Sequence, residues 1–253
     1  MLFIRSIFRH VVVCKLLFAS SCIFAVTVGT YNLPPFSMHE DGENLGMVTE
    51  AMTTLLSRSN VQDYQIIDYP LARGLAELRA GRIDIFYPYV VTVDNEIPKT
   101  YTLIGPIAKY HMALFVRKDY HKEVSILAMQ NSIVSAERGG IEHSLLQPHA
   151  HHIEEATQTI SCLRMVLAER VAACAIGTLP GQYVAAINNL ASHLRHVETG
   201  DTANMYVVIG DSLPKEMVEK IKAAYADLKR DDYFAKQQNT YETKFQLFIK
   251  SMS

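Results

Sequence analysis

Apolar positions along this chain recur at two spacings in turn, and that alternation predicts short strands separated by amphipathic helices. Val26 to Thr30 reads as a strand, which Asn32-Leu33-Pro34-Pro35 turns, and Asp41-Gly42 marks a second turn. From Met47 to Arg58, Val48, Met52, Leu55 and Leu56 fall on one helical face. Tyr64 to Ile67 reads as a second strand. A helix with Leu71, Leu75 and Leu78 on one face then stops at Gly81, and Ile83 to Phe86 launch a buried strand that ends in Tyr87-Pro88-Tyr89. Strand, helix, strand, helix, strand is the order of a parallel α/β sheet.

The pattern restarts further on. After a loop from Pro98 to Pro106, His111 to Lys118 is apolar and strand-like. Ser132 to Ser135 begins a second cycle: a strand, a Gly139-Gly140 turn, a helix, and beyond the His149 region another helix, Thr157 to Glu169, leading into a strand from Val171 to Ile176. Leu78 to Ile85 and Val166 to Ala173 share a layout, each a helix running straight into a strand, without repeating in sequence. Met205 to Ile209 is a further strand. Ser212-Leu213-Pro214 caps a helix with Met217, Ile221, Tyr225 and Leu228 on one face, and Tyr241 to Met252 is expected to dock as a final helix.

The N-terminus departs from this pattern. Arg5, Arg9 and Lys15 precede an apolar stretch too short to span a bilayer, which reads as a secretory signal over residues 1–25, cleaved after Ser21 or Ala25. Cys22, following Ala19-Ser20-Ser21, faintly matches a lipoprotein box; plain cleavage into the periplasm is the expectation adopted. In an oxidising compartment Cys162 and Cys174 stand either as a disulfide or as two buried thiols, and nothing nearby makes them catalytic. The chain of 253 residues carries a formal charge of −2 with acids and bases interspersed, and this argues against a nucleic-acid partner.

A set of landmarks occurs in order along most of the chain: Gly29-Thr30-Tyr31, Gly46, Ala72-Arg73, Gly81-x-Ile83-Asp84, Thr92, Ala113 to Asp119, Arg138-Gly139 and Arg170-Val171. In this it resembles the bacterial extracellular solute-binding proteins of family 3, which serve polar amino acid importers. The resemblance implies an α/β, two-lobed periplasmic-binding-protein-like fold of type II. Residues 26–112 and 205–253 would form lobe I, residues 113–204 lobe II, and two crossing strands would be the hinge. It also implies a monomeric receptor, not an enzyme, that closes on a small polar ligand and delivers it to an ABC permease without cofactor or metal. The rivals are a sensory receptor for a separate signalling partner and an enzyme of the same fold, such as the cyclohexadienyl dehydratases.

Two departures from the family pattern bear on the ligand. Asn95 stands three residues after Thr92, where amino-acid receptors carry the arginine whose guanidinium pairs the ligand carboxylate, and Gly177-Thr178 stands where an acid holds the ammonium. A zwitterion buried without either anchor is costly. Arg73, in the first turn of its helix, and Arg138, before Gly139-Gly140, are the candidate replacements; the plainer reading makes both surface arginines. Tyr31, Tyr87 and Tyr89 sit at strand ends where aromatic faces would suit a flat or cationic ligand, or would merely pack under loops. The expected ligand-binding set is therefore Tyr31, Arg73, Tyr87, Tyr89, Thr92, Asn95, Arg138, Gly139 and Thr178.

The remaining polar clusters read as structural. His143, His149, His151 and His152, followed by Glu154 and Glu155, lack a spacing that forces convergence on a metal. Asp84 is expected to satisfy backbone donors or a helix terminus. Asp94 and Glu96 are the only acids near the expected cleft, and there is no nucleophile elbow, phosphate loop or zinc helix.

Overall fold

The computed structural model describes residues 25–91, 101–149 and 152–252. The expected signal segment therefore lies outside the described residues apart from Ala25, as do Thr92, Asp94, Asn95 and Glu96.

The first half builds a parallel group of strands, β1 (Val26–Thr30), β4 (Tyr64–Asp68) and β5 (Ile85–Val91), with β1 between the other two. Two helices connect them, α1 (Met47–Arg58) and α2 (Leu71–Arg79). On α1 the predicted face is the buried one: Val48, Met52, Leu55 and Leu56 are all fully enclosed. Each such side chain contributes about 1.5–3 kcal/mol by leaving water. The helix starts at Gly46 with φ 110, and a Cβ there would sit 2.6 Å from the Phe36 carbonyl oxygen, so the position needs glycine. Asp41-Gly42 turns a small hairpin, β2 (Met38–Glu40) with β3 (Glu43–Leu45), where the sequence pattern had shown only the turn.

The second half repeats the layout with β7 (Ile133–Glu137), β8 (His152–Ala156) and β9 (Ala173–Gly177), all parallel, and the helices α3 (Ile141–Leu146), α4 (Thr159–Leu167) and α5 (Thr178–Ile187). Strand β8 is an element that the apolar pattern does not predict. It is an edge strand with mostly exposed side chains, so it lacks the apolar run that marks a buried strand. Both faces of this sheet are covered. Ala113, Phe115, Cys174 and Ile176 pack into one apolar cluster, while the alternate residues Leu114, Val116, Ala173 and Ala175 pack into the other, as a two-residue period requires. Cys162 on α4 and Cys174 on β9 form a disulfide with Cα atoms 5.5 Å apart.

Two long antiparallel strands join the halves, β6 (Thr102–Arg117) and β10 (Leu194–Ile209). One end of the pair hydrogen-bonds to β5 through β10, the other to β9 through β6, giving the order β4-β1-β5-β10-β6-β9-β7-β8. Both strands are longer than the apolar segments that announced them. Strand β6 begins at Thr102, inside the expected Pro98 to Pro106 loop, and buries Ile104, Ile107, Ala108 and Tyr110 before His111, whereas the residues β10 adds before Met205, Glu198 among them, are mostly exposed or half-buried and carry no apolar run.

Helix α6 (Lys215–Arg230) packs on the first half through Ile221, Ala224 and Leu228. The terminal helix α7 (Tyr233–Met252) begins earlier than its apolar pattern suggested and touches both halves. Tyr241 donates a hydrogen bond to Glu50 on α1 at 2.6 Å, while Phe245 and Phe248 stack on Tyr183 of α5 with ring centroids 6.0 and 5.7 Å away.

Candidate functional site

The carboxyl ends of the parallel strands from both halves face one another, which is where open α/β sheets place ligands. Between them lies a small, partly open cavity of about 40 Å³. Its first-lobe wall holds Tyr31, Leu71, Leu75 and Tyr89; its second-lobe wall holds Glu137, Gly139, Gly140 and Glu142; Tyr110 of β6 closes the back. Tyr31, Leu71 and Glu137 also line a wider outer groove of about 470 Å³ that reaches His39, Glu40, Asp68 and Tyr183. The lobes stand close together: a Cβ on Gly139 would lie 3.6 Å from the Cβ of Ala72.

The cavity floor is a fixed polar network. The Tyr110 hydroxyl donates to Oε1 of Glu142, and the Gly177 amide donates to that same hydroxyl at 2.7 Å. Gly177 is required there because a Cβ would collide with the Tyr110 ring. Tyr31 stacks on Phe86 at 6.0 Å with the rings nearly parallel, and its carbonyl accepts from Ser37 at 2.6 Å.

Burial shapes the ionisation of this network. Glu142 is 2% exposed, and its carboxyl is pushed up by burial and drawn back by the hydrogen bond from Tyr110. Glu137 is pushed up to about 8 by burial and then by the charge of Glu142, while the Thr159 hydroxyl donates to it at 3.4 Å and opposes the shift. Tyr31 and Tyr110 are raised by burial first and by the neighbouring carboxylates second. Two carboxyls this close share the cost of holding charge away from water.

The residues expected from the sequence divide. Tyr31, Tyr89 and Gly139 line the inner cavity. Tyr87 does not: it is fully buried inside the first lobe and donates to Thr49 at 3.3 Å, so its expected place at the cleft is corrected. Arg73 also turns away, pairing with the enclosed carboxylate of Glu77, which holds Arg82 as well. Arg138 pairs with Glu155 of the edge strand at 2.6 Å and is mostly exposed. In both cases a nearby acid claims the guanidinium. Thr178, buried at the start of α5, lines a separate groove of about 720 Å³ beside the hinge, and its hydroxyl has no hydrogen-bond partner among the described residues.

Asp84 holds structure, accepting from the Thr27 amide at 2.9 Å and from the Ser212 hydroxyl at 2.6 Å. His143 approaches Glu155 at 3.8 Å. Among the described residues no group of three or more metal-capable side chains converges.

Sequence reasoning missed Glu137, Glu142 and Tyr110. A signal existed: Glu137 ends a strand immediately before the Gly139-Gly140 turn, on the ligand edge of a parallel sheet.

The fold and the cleft between its halves define a two-lobed ligand-binding protein. The chain belongs to the bacterial extracellular solute-binding proteins, family 3, whose model matches residues 26–246. Among solved structures it is similar to a histidine kinase sensor domain related to periplasmic binding proteins, at 16% identity and TM-score 0.76, covering 85% of this chain and 95% of that one. It is likewise similar to an ancestral arginine-binding protein bound to arginine, at 16% identity and TM-score 0.73, covering 85% and 97%. A third relative in fold is the ancestral amino acid-binding protein AncCDT-1, a precursor of cyclohexadienyl dehydratase, at 15% identity and TM-score 0.70, covering 85% and 94%. No curated protein matches the sequence.

Proposed function

We propose that this chain is a periplasmic solute receptor, monomeric and secreted through a cleaved signal, that closes its lobes over a small organic ligand and delivers it to an ABC permease. The observation that carries this reading is the cavity walled by both lobes, with Tyr31 and Tyr89 on one side and Glu137 and Glu142 on the other. Contacts made by both walls exist only when the lobes are together, so a ligand that makes them shifts the population toward closure. Tyr31, Tyr89, Gly139 and the segment that carries Thr92 and Asn95 are its proposed first-lobe and second-lobe contacts.

The test uses the protein's own tyrosines, since the chain has 13 of them and no tryptophan. Protein purified natively, stripped of ligand by unfolding and refolded is titrated with a metabolite extract while tyrosine emission and radius of gyration are followed. A saturable emission change with compaction is expected. Unchanged emission and radius would remove the reading.

One observation favours a second reading, an enzyme on the same fold. Glu137 is a carboxyl kept protonated near neutral pH in a closed cleft, which suits a general acid. Chemical alteration of a bound compound, followed by nuclear magnetic resonance, separates turnover from binding.

A further inference from the structure

The walls of the inter-lobe groove are strongly one-signed. Glu137 and Glu142 border the inner cavity, and Glu40 and Asp68 border the outer groove. His39 is the only basic side chain on either wall, and no lysine or arginine lines them among the described residues. The two arginines nearest in sequence, Arg73 and Arg138, are already paired with Glu77 and Glu155. Among the described residues an entering carboxylate would therefore meet four acids and no lysine or arginine, with Glu137 and Glu142 in the inner cavity, where water screens poorly, and Glu40 and Asp68 on the exposed rim. A cation would instead gain these acids as acceptors, its charge favouring release of the proton that Glu137 holds in the empty cleft, together with the faces of the tyrosine rings.

Size restricts the fit further. About 40 Å³ accommodates a few small-group positions at roughly 10–15 Å³ each, enough for an ammonium or guanidinium head without a carboxylate beside it. The outer groove, which shares Tyr31, Leu71 and Glu137 with the cavity, has room for the rest of a chain-like molecule.

We propose that the ligand is an organic cation, an amine or guanidine recognised without a carboxylate anchor, with its charged head between Glu137 and Glu142 and its body along the outer groove toward Asp68 and Glu40. This rests on the receptor reading above and assigns the chemical class of the ligand for that same cleft.

The experiment is thermal unfolding and calorimetric titration of the ligand-stripped protein at fixed ionic strength. The probes are putrescine, agmatine, spermidine and choline, set against L-glutamate, succinate, L-glutamine and glucose. At least one amine should raise the midpoint by several degrees, with binding weakened about tenfold or more in Glu137→Gln. Glu142→Gln should act in the same direction; if it does not fold, the half-buried Glu137 variant still decides. An amine that binds Glu137→Gln as tightly as the native protein overturns the assignment. Binding of a neutral or anionic probe alone overturns the cation class and leaves the receptor reading standing. If no probe of any class binds, both readings fall together.

Discussion

Tyr110 and Glu142 tie the hinge to the second lobe: the Tyr110 hydroxyl on β6 donates to the Glu142 carboxyl on α3 while accepting from the Gly177 amide. All three groups are buried, so each depends on the others for a partner that water would otherwise supply. The link also sets the back wall of the cavity, because it holds the ring of Tyr110 against the backbone at Gly177.

Tyr110→Phe removes the hydroxyl and leaves a buried amide and a buried carboxyl short of a partner. A loss of about 1–3 kcal/mol in urea unfolding is expected. Combined with Glu142→Gln, the double variant should lose less than the sum of the single changes, since both break one link. Strict additivity would show that the hydrogen bond carries no coupling.

Glu137 should make the empty protein less stable as pH rises. Its carboxyl ordinarily titrates near 4.5 and is pushed to about 8 here, so the folded chain holds a proton that the unfolded chain has released. Between those values the folded state binds more protons, and stability falls with increasing pH across that window. Facing Glu137 are Glu142 from α3, Thr159 from α4 and Tyr31 from the other lobe. Glu137→Gln should flatten this part of a pH-dependent melting profile, and an unchanged profile would show that another group is responsible.

The disulfide between Cys162 and Cys174 closes a short loop, with a sequence separation of 12. Replacing both cysteines with serine should cost about 2–4 kcal/mol, chiefly by freeing the unfolded chain. Denaturant unfolding with and without reductant measures this. Reduction should lower the native protein's midpoint and leave the double variant unmoved.

Asp84 pins β1 to the loop before α6 through Thr27 and Ser212. Asp84→Ala leaves the Thr27 amide without its acceptor and should cost about 1–3 kcal/mol. Because Asp84 borders none of the inter-lobe groove, ligand affinity at a temperature where the variant is folded should stay the same. A changed affinity would indicate that the damage reaches the cleft.

The elements that bury one clear face were readable from sequence alone. Helix α1 announced itself through Val48, Met52, Leu55 and Leu56, and the ordered landmarks from Gly29 to Arg170 carried the family and hence the two lobes. Elements without such a face were not readable: edge strand β8 and the first part of β10 are held by backbone pairing with neighbouring strands, while the start of β6 was hidden because Gly105 and Pro106 interrupt its apolar residues. The cleft divided in the same way. Tyr31, Tyr89 and Gly139 were legible because strand ends and glycine turns mark the ligand edge of a parallel sheet. The destinations of Arg73, Arg138 and Tyr87 were decided by partners elsewhere in the chain, namely Glu77, Glu155 and Thr49.

Periodicity, and with it the α/β order, is written along the chain, because burial of a face at a fixed spacing is a local property. The charge of the cleft, in contrast, emerges on folding. Acids outside the cleft claimed Arg73 and Arg138, and folding brought Glu137, Glu142, Glu40 and Asp68 onto facing walls with no guanidinium among the described lining residues. Charge pairing depends on distance in space, which sequence spacing does not report.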